Sequence, residues 1–296
     1  MITSLANGKI RRLITLREKS RARNKEGVFL AEGLKMFEEA PMERLMEVYV
    51  SERLWQEFKE SPGALTWKKL SACMAQGIFV EQVSEEVFKK ASDTQTPQGI
   101  LFVMKQFSYC LEDMISQSLQ RQKEGGKPPL FLLLEDIQDP GNLGTMLRTG
   151  EGAGVDGVIM SRGTVDIYNP KTIRSTMGSL YRVPFLYEQG MEEVIRLLQK
   201  EQIRIYAAHL KGEKYFDEIS YKGGCAFLIG NEGNGLRKET AELADDYLKI
   251  PMEGKLESLN AAVAAAILLY QAAGDHRQSM RKYRERVRGC AEMGQI

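Results

Sequence analysis

Leu130-Phe131-Leu132-Leu133-Leu134 is an unbroken apolar run, and after four intervening residues the chain reads Asp139-Pro140-Gly141-Asn142-Leu143-Gly144-Thr145-Met146-Leu147-Arg148. Apolar residues with no polar alternation mark a strand covered on both faces, as inside a parallel sheet. Further strand-length apolar runs fall at 157–160, 183–187, 203–207, 226–229 and 247–250, with helical stretches between them, including 191–200. Strands alternating with helices predict an open, mostly parallel α/β sheet. Ser258 is placed to cap a final helix whose alanine-rich run is expected to stop at Gly274.

Upstream, residues 1 to about 105 mix the two periodicities. A basic helix is predicted over 10–23, a strand over 28–31, a helix over 34–40 and a strand over 46–50, and Thr96-Pro97-Gln98-Gly99 turns into a buried strand ending at Met104. The expected division is a small α/β domain over 1–107, a linker over 108–129, an α/β domain over 130–274 and a basic tail over 275–296. The linker rests on Gly125, Gly126, Pro128 and Pro129, which discourage regular structure.

With 296 residues, 43% hydrophobic and 27% charged, the chain is long enough for two cores and too balanced for disorder or a disulfide scaffold. Cys73, Cys110, Cys225 and Cys290 form no C-x-x-C pair, and with only His209 and His276 beside them no zinc set is expected. The first seven residues lack the order of a signal peptide, and the longest apolar run, 261–269, is too short to span a bilayer. The expectation is a cytoplasmic protein with no membrane contact.

The 41 Lys and Arg against 40 Asp and Glu leave a net charge of +1, so the total does not advertise a polyanion partner. The distribution is more informative. Lys9, Arg11, Arg12, Arg17, Lys19, Arg21, Arg23 and Lys25 crowd the N-terminus, and Arg277, Arg281, Lys282, Arg284, Arg286 and Arg288 crowd the C-terminus. Such runs suit phosphate contacts, and equally suit a solvated helix face.

Gly152-Ala153-Gly154-Val155-Asp156-Gly157 matches the dinucleotide-binding pattern letter for letter, but a helical segment precedes it and a strand follows, the reverse of the required context. A dinucleotide-dependent enzyme is therefore disfavoured. Gly230, Gly233 and Gly235, in contrast, directly follow the strand at 226–229, where open α/β sheets carry their ligand loops. On spacing alone a tight strand-to-helix turn is the favoured reading, since glycine is the usual turn residue. Ile250-Pro251-Met252 leaves the next strand, with Pro251 stiffening the exit and Met252 and Leu259 able to wall an adenine pocket.

In order, Asn142 with Arg148, then Gly230-Asn231-Glu232-Gly233, then Ile250-Pro251-Met252 with Ser258-Leu259-Asn260, resemble the three signature motifs of the SpoU (TrmH) family of RNA ribose 2′-O-methyltransferases. Phe29-Leu30-Ala31-Glu32-Gly33 and Thr96-Pro97-Gln98-Gly99-Ile100 resemble that family's N-terminal substrate-binding domain, a ribosomal-protein-like α/β module. The resemblance implies a SPOUT-like catalytic domain with a C-terminal trefoil knot, S-adenosylmethionine as cofactor and a homodimer with its active site near the subunit interface. It also implies RNA as partner, ribosomal RNA first and transfer RNA as the alternative. Arg148, Asn142, Glu232, Ser258 and Asn260 are the implied catalytic set. Leu228, Gly230, Asn231, Gly233, Ile250, Met252 and Leu259 are the implied cofactor set. Lys9, Arg11, Arg12, Arg21 and Arg23 are the expected RNA contacts. A non-catalytic RNA-binding assembly factor with this fold is the rival from another class.

The implied reaction needs a 2′-oxygen aligned with a sulfonium methyl and a route for the hydroxyl proton. Arginine is effectively always protonated, so Arg148 is expected to hold a phosphate and stabilise the developing alkoxide rather than act as a base. Asn142 precedes it by six positions, off its helical face; a turn over 141–144 with Asn142 at the helix start would bring both into one cleft.

Overall fold

The structure, a computed structural model, describes residues 1–293 other than Pro62, Leu210 and Lys211, with side chains described as far as Lys282. Two compact units are present: Met1–Phe107 with Asp166–Tyr181, and Ser108–Val165 with the chain from Arg182 onward.

The first unit opens with α1 (Gly8–Glu18) and α2 (Ser20–Glu26). The single basic helix expected over 10–23 is thus two, because Lys19 is extended (φ −119°, ψ 109°). A four-stranded sheet follows in the order β1 (Val28–Glu32), β4 (Ile100–Lys105), β2 (Leu45–Ser51), β3 (Phe79–Val83); only the β2–β3 pair is parallel. Ile10, Leu13 and Leu16, spaced at three, form the buried face of α1 against Leu30, Tyr49, Phe88 and Val103. Helices α3 (Leu34–Glu39), α4 (Glu52–Glu60), α5 (Leu65–Ala75) and α6 (Glu85–Ala91) complete the run to Phe107.

Residues 166–181 belong to this unit. Asp166 receives the guanidinium of Arg23, Tyr168 stacks on Phe29 with ring centres 4.7 Å apart, and Arg174 pairs with Asp93.

The second unit begins with a correction. Leu111–Lys123, expected within a linker, is a helix, α7, whose Leu111, Met114 and Ile115 enter the core. In chain order follow β5 (Leu130–Leu134), α8 (Pro140–Ala153), β6 (Gly157–Ser161), α9 (Pro170–Thr176, within the 166–181 segment), β7 (Phe185–Glu188), α10 (Met191–Lys200), β8 (Arg204–Ala208) and β9 (Lys214–Tyr215). β10 (Cys225–Ile229), α11 (Lys238–Ala241), β11 (Asp246–Lys249) and α12 (Ala261–Met293) end it. The sheet order is β7-β6-β5-β10-β8-β11-β9, and every neighbouring pair is parallel.

Alternating residues of the central strands face opposite layers. Phe131, Leu133, Ile205, Ala226 and Leu228 pack with α7 and α10, whereas α12 lies against β10 and against α8. Ala262, Ala265, Ala272 and Ala273 are buried, small enough to let α12 approach closely. The helix does not stop at Gly274 but runs to Met293; the side chains of Arg284, Arg286 and Arg288 lie outside those described. The dinucleotide-like stretch Gly152–Gly157 has a helix before it and a strand after it, as expected: Gly154 (φ 78°) closes α8 and Gly157 opens β6. Among the described residues no helix is long and apolar enough to cross a membrane.

Candidate active site

Because β5, β10 and β11 run parallel, their carboxyl ends share one edge of the sheet, where ligand loops gather in open α/β folds. β5 leads through Glu135–Gln138 into α8, β10 into the glycine-rich loop, and β11 into the segment 250–260 that precedes α12.

The start of α8 is built for its task. Asp139 is the N-cap, its carboxylate accepting the amide of Asn142 at 2.8 Å, and Pro140 occupies the first turn. Asn142 then joins all three segments. Its Nδ2 donates to Glu232 Oε1 at 2.9 Å, and its Oδ1 accepts from Asn260 Nδ2 at 3.0 Å. Asn260 Oδ1 in turn accepts the amides of Ala262 (2.9 Å) and Val263 (3.3 Å), so Asn260, not Ser258, caps α12.

Glu232 also accepts the amides of Gln138 at 3.0 Å and Asp139 at 3.1 Å. Its carboxyl is held below the usual range: partial burial pushes upward, but the hydrogen bonds from Asn142 and from the backbone amides of Gln138, Glu232 and Asp139 outweigh it. An ionised carboxylate whose two oxygens already accept three donors fixes loops; it is poorly suited to take a proton.

The glycine loop is a closed unit. Asn231 and Gly235 exchange backbone hydrogen bonds of 3.0 and 2.9 Å, and Asn231 Oδ1 accepts the amides of Gly233 and Asn234 at 2.9 Å. Asn231 Nδ2 donates to Asp136 O at 2.8 Å. A Cβ on Gly230 would lie 2.3 Å from Gly235 C and Leu236 N, so only glycine fits where the loop folds back on itself. The side chains of two members of the expected cofactor set are engaged within the protein. Asn231 spends its side chain inside the loop, and Leu228 is fully buried in the sheet between Leu133 and Ala207, beneath the loop rather than lining it. Gly233 is exposed, and Ile250, Met252 and Leu259 are half-buried at the same edge.

Sequence reasoning missed Glu135. It is 1% exposed, and its carboxylate accepts the Arg237 amide (2.8 Å), Arg237 Nε (3.0 Å) and Thr240 Oγ1 (2.5 Å). The available signal was an acid placed directly after a five-residue apolar strand.

Arg148 and Ser258 are not drawn into the Asn142 cluster; both are exposed, and their side chains make no hydrogen bond or ion pair among the described residues. Residues 141–144 are helical, not the expected turn, so Asn142 and Arg148 lie on one helix, about 9 Å apart along it and about 120° apart around it. Arg148 instead belongs to an exposed strip with Thr145 and Gly152 of α8, and α12, packed against α8, exposes Val263 and Tyr270.

In the first unit the expected RNA contacts divide. Arg11 and Arg21 are exposed, as is Lys9, whose ammonium lies 3.1 Å from the centre of the Phe79 ring. Arg12 is paired with Glu26 and Glu47. Arg23 is buried, donating to Leu16 O at 2.6 Å and Arg17 O at 3.0 Å as well as to Asp166, which removes it from the surface.

Among the described residues no group of His, Cys, Asp or Glu is arranged to hold a metal. Residues 129–270 match the model of the SpoU rRNA Methylase family, and residues 7–101 match an MRM3-like substrate binding domain. The chain is 34% identical over 229 residues to a 23S rRNA (guanosine(2553)-2′-O)-methyltransferase of Bacillus subtilis, covering 75% of this chain and 86% of that one. It is 30% identical to an uncharacterized tRNA/rRNA methyltransferase of Synechocystis, over 92% of both. An AdoMet-bound rRNA methyltransferase from Sinorhizobium meliloti superimposes with a TM-score of 0.78 at 28% identity, covering 92% of this chain and 96% of that one.

Proposed function

This chain belongs to the SpoU rRNA Methylase family, and on that premise we propose that it transfers a methyl group from S-adenosylmethionine to a ribose 2′-hydroxyl of ribosomal RNA. The observation that carries the proposal is the hydrogen-bonded chain Glu232–Asn142–Asn260, which ties three loops together at one edge of the sheet.

The residues at that edge fit the cofactor. Half-buried Ile250, Met252 and Leu259 offer apolar walls, and exposed Gly233 lets a ligand approach the loop backbone closely, a setting that suits an adenosyl group. When bound, the sulfonium supplies an already activated methyl group. The chain's own task is alignment and charge. Glu232, Asn142 and Asn260 keep the loops in register, so that the 2′-oxygen meets the methyl in line. Glu232 has its oxygens committed, so the hydroxyl proton leaves to solvent as the bond forms. The Arg148 guanidinium, with its fixed fork of donors, neutralises the developing alkoxide or an adjacent phosphate.

Arg148 faces away from Asn142 in one copy of the chain. The proposal includes a homodimer formed through α8 and α12, in which the Arg148 of one copy serves the cofactor edge of the other. Exposed Val263 and Tyr270 on α12, with the Tyr270 hydroxyl against Gly152 of α8, suit such an interface. Replacing Tyr270 with Asp is expected to yield monomers by sedimentation and to abolish methyl transfer; a monomeric wild type with full activity would reject this part.

The first unit selects the site on RNA through exposed Lys9, Arg11 and Arg21. The proposal includes the C-terminal trefoil knot that family membership implies and places the enzyme's work in the cytoplasm. The deciding experiment is transfer of labelled methyl from S-adenosylmethionine to RNA of cells lacking the protein, followed by nuclease and alkaline mapping. Alkali-resistant label in ribosomal RNA is expected, absent with Arg148→Ala. Label confined to transfer RNA would reassign the substrate, and RNA binding without any transfer would favour an assembly factor.

A further inference from the structure

Glu135 reaches both ends of the glycine loop. Its backbone amide donates to Ile229 O at 2.9 Å, at the residue just before Gly230. Its carboxylate accepts the backbone amide and Nε of Arg237, the residue just after Leu236, and the hydroxyl of Thr240. The following residue, Asp136, adds a third tie by accepting Asn231 Nδ2 at 2.8 Å. A carboxylate buried to this extent is tolerated only when its oxygens are met by good donors, and all three of these donors come from the chain leaving the loop. Arg237, whose side chain is 57% exposed, is held by backbone and side chain together, so the loop exit is tied twice to one carboxylate.

We propose that Glu135 is a positioning residue that sets the span of the glycine loop and thereby its grip on S-adenosylmethionine. It does not touch the reacting atoms; it acts through Arg237, Thr240 and the turn they terminate. The proposal rests on the reading that this loop holds the cofactor.

The test is S-adenosylmethionine binding to the full-length protein by calorimetry, with Glu135→Gln, Glu135→Asp, Arg237→Ala and Gly230→Ala. In Glu135→Gln the amide NH2 opposes donors that the carboxylate accepted, and affinity is expected to fall about tenfold or more. Glu135→Asp keeps the charge with a shorter reach and should lose less. Arg237→Ala removes one of the three donors to Glu135 while the Arg237 amide and Thr240 remain, and should weaken binding about threefold, with folding checked by circular dichroism. In turnover, KM for S-adenosylmethionine should rise in these variants while KM for RNA does not, which general destabilisation would not produce.

Weakened binding in both Gly230→Ala and Glu135→Gln supports the proposal. Weakened binding in Gly230→Ala with Glu135→Gln and Arg237→Ala at the wild-type value overturns it and leaves the loop's role intact. Wild-type affinity in all four variants overturns both.

Discussion

The side-chain amide of Asn260 donates to Asn142 at 3.0 Å, although 118 positions separate them in the chain. Asn142 passes the connection to Glu232, so the start of α8, the glycine loop and the cap of α12 share one network. Residues in such a network do not contribute independently. Asn142→Ala and Asn260→Ala are each expected to lower kcat/KM for methyl transfer by about 10- to 100-fold, and the double variant to differ from additivity by about 1 kcal/mol or more. Additive losses in the double-mutant cycle would mean that the two amides act separately.

Arg148 is exposed and unpaired among the described residues, so its replacement should separate catalysis from stability. Arg148→Ala should leave unfolding free energy within about 0.5 kcal/mol of wild type. Methyl transfer should fall about 10²- to 10³-fold, the usual cost of one electrostatic stabiliser. Arg148→Lys should recover little, because an ammonium lacks the planar fork. Near-full activity in the lysine variant would rule that role out.

His276 lies 1% exposed in α12, with Nε2 donating to Gly223 O at 3.0 Å and Nδ1 without a partner among the described residues. Burial pushes its pKa below 6.5, against the hydrogen bond to Gly223 and with help from Lys127. Between the folded value and 6.5 the unfolded chain binds more protons, so stability rises with pH there. The contribution is complete above 6.5 and drains away as pH falls toward the folded value. Urea melts from pH 7 to 5 should therefore show falling stability in the wild type and a flatter profile in His276→Phe. Identical slopes would show that another group governs acid sensitivity.

Arg21 and Arg23 are two positions apart and should respond differently. Arg23 holds Leu16 O, Arg17 O and Asp166 from a buried position, so Arg23→Ala should cost about 3 kcal/mol or more in stability. Arg21→Ala should leave stability within about 0.5 kcal/mol. If Arg21 meets a phosphate, its loss should reduce the slope of log affinity against log salt by about 0.7 to 0.9. An unchanged slope would remove Arg21 from the RNA contacts.

The parallel sheet was legible because β5, β8 and β10 are covered on both faces and therefore read as apolar runs. The stretch from α4 to α6 was not. β3 sits at a sheet edge with four of its five residues only half-buried, so it carries neither a run nor an alternation, and α5 has no clear apolar face. In α7 the signal was present: Leu111, Met114 and Ile115 have helical spacing, but the Gly and Pro residues just downstream dominated the reading. Asn142, Glu232 and Asn260 could be picked out by motif, and their mutual contacts required the fold. Glu135 illustrates the limit. An acid after a strand ordinarily marks a solvated end, and its burial depends on Arg237 and Thr240, 102 and 105 residues away.

The segment 166–181, which leaves the sheet after β6 and returns before β7, is gripped by Arg23, Phe29 and Asp93. A fragment ending at Phe107 would lose all three attachments and expose the guanidinium and ring that made them. Residues 1–107 are therefore not a detachable cassette. Transplanting them onto another protein would require carrying residues 166–181 along, so if this unit selects the RNA, as proposed, retargeting is more accessible through surface substitutions than through exchange of whole modules.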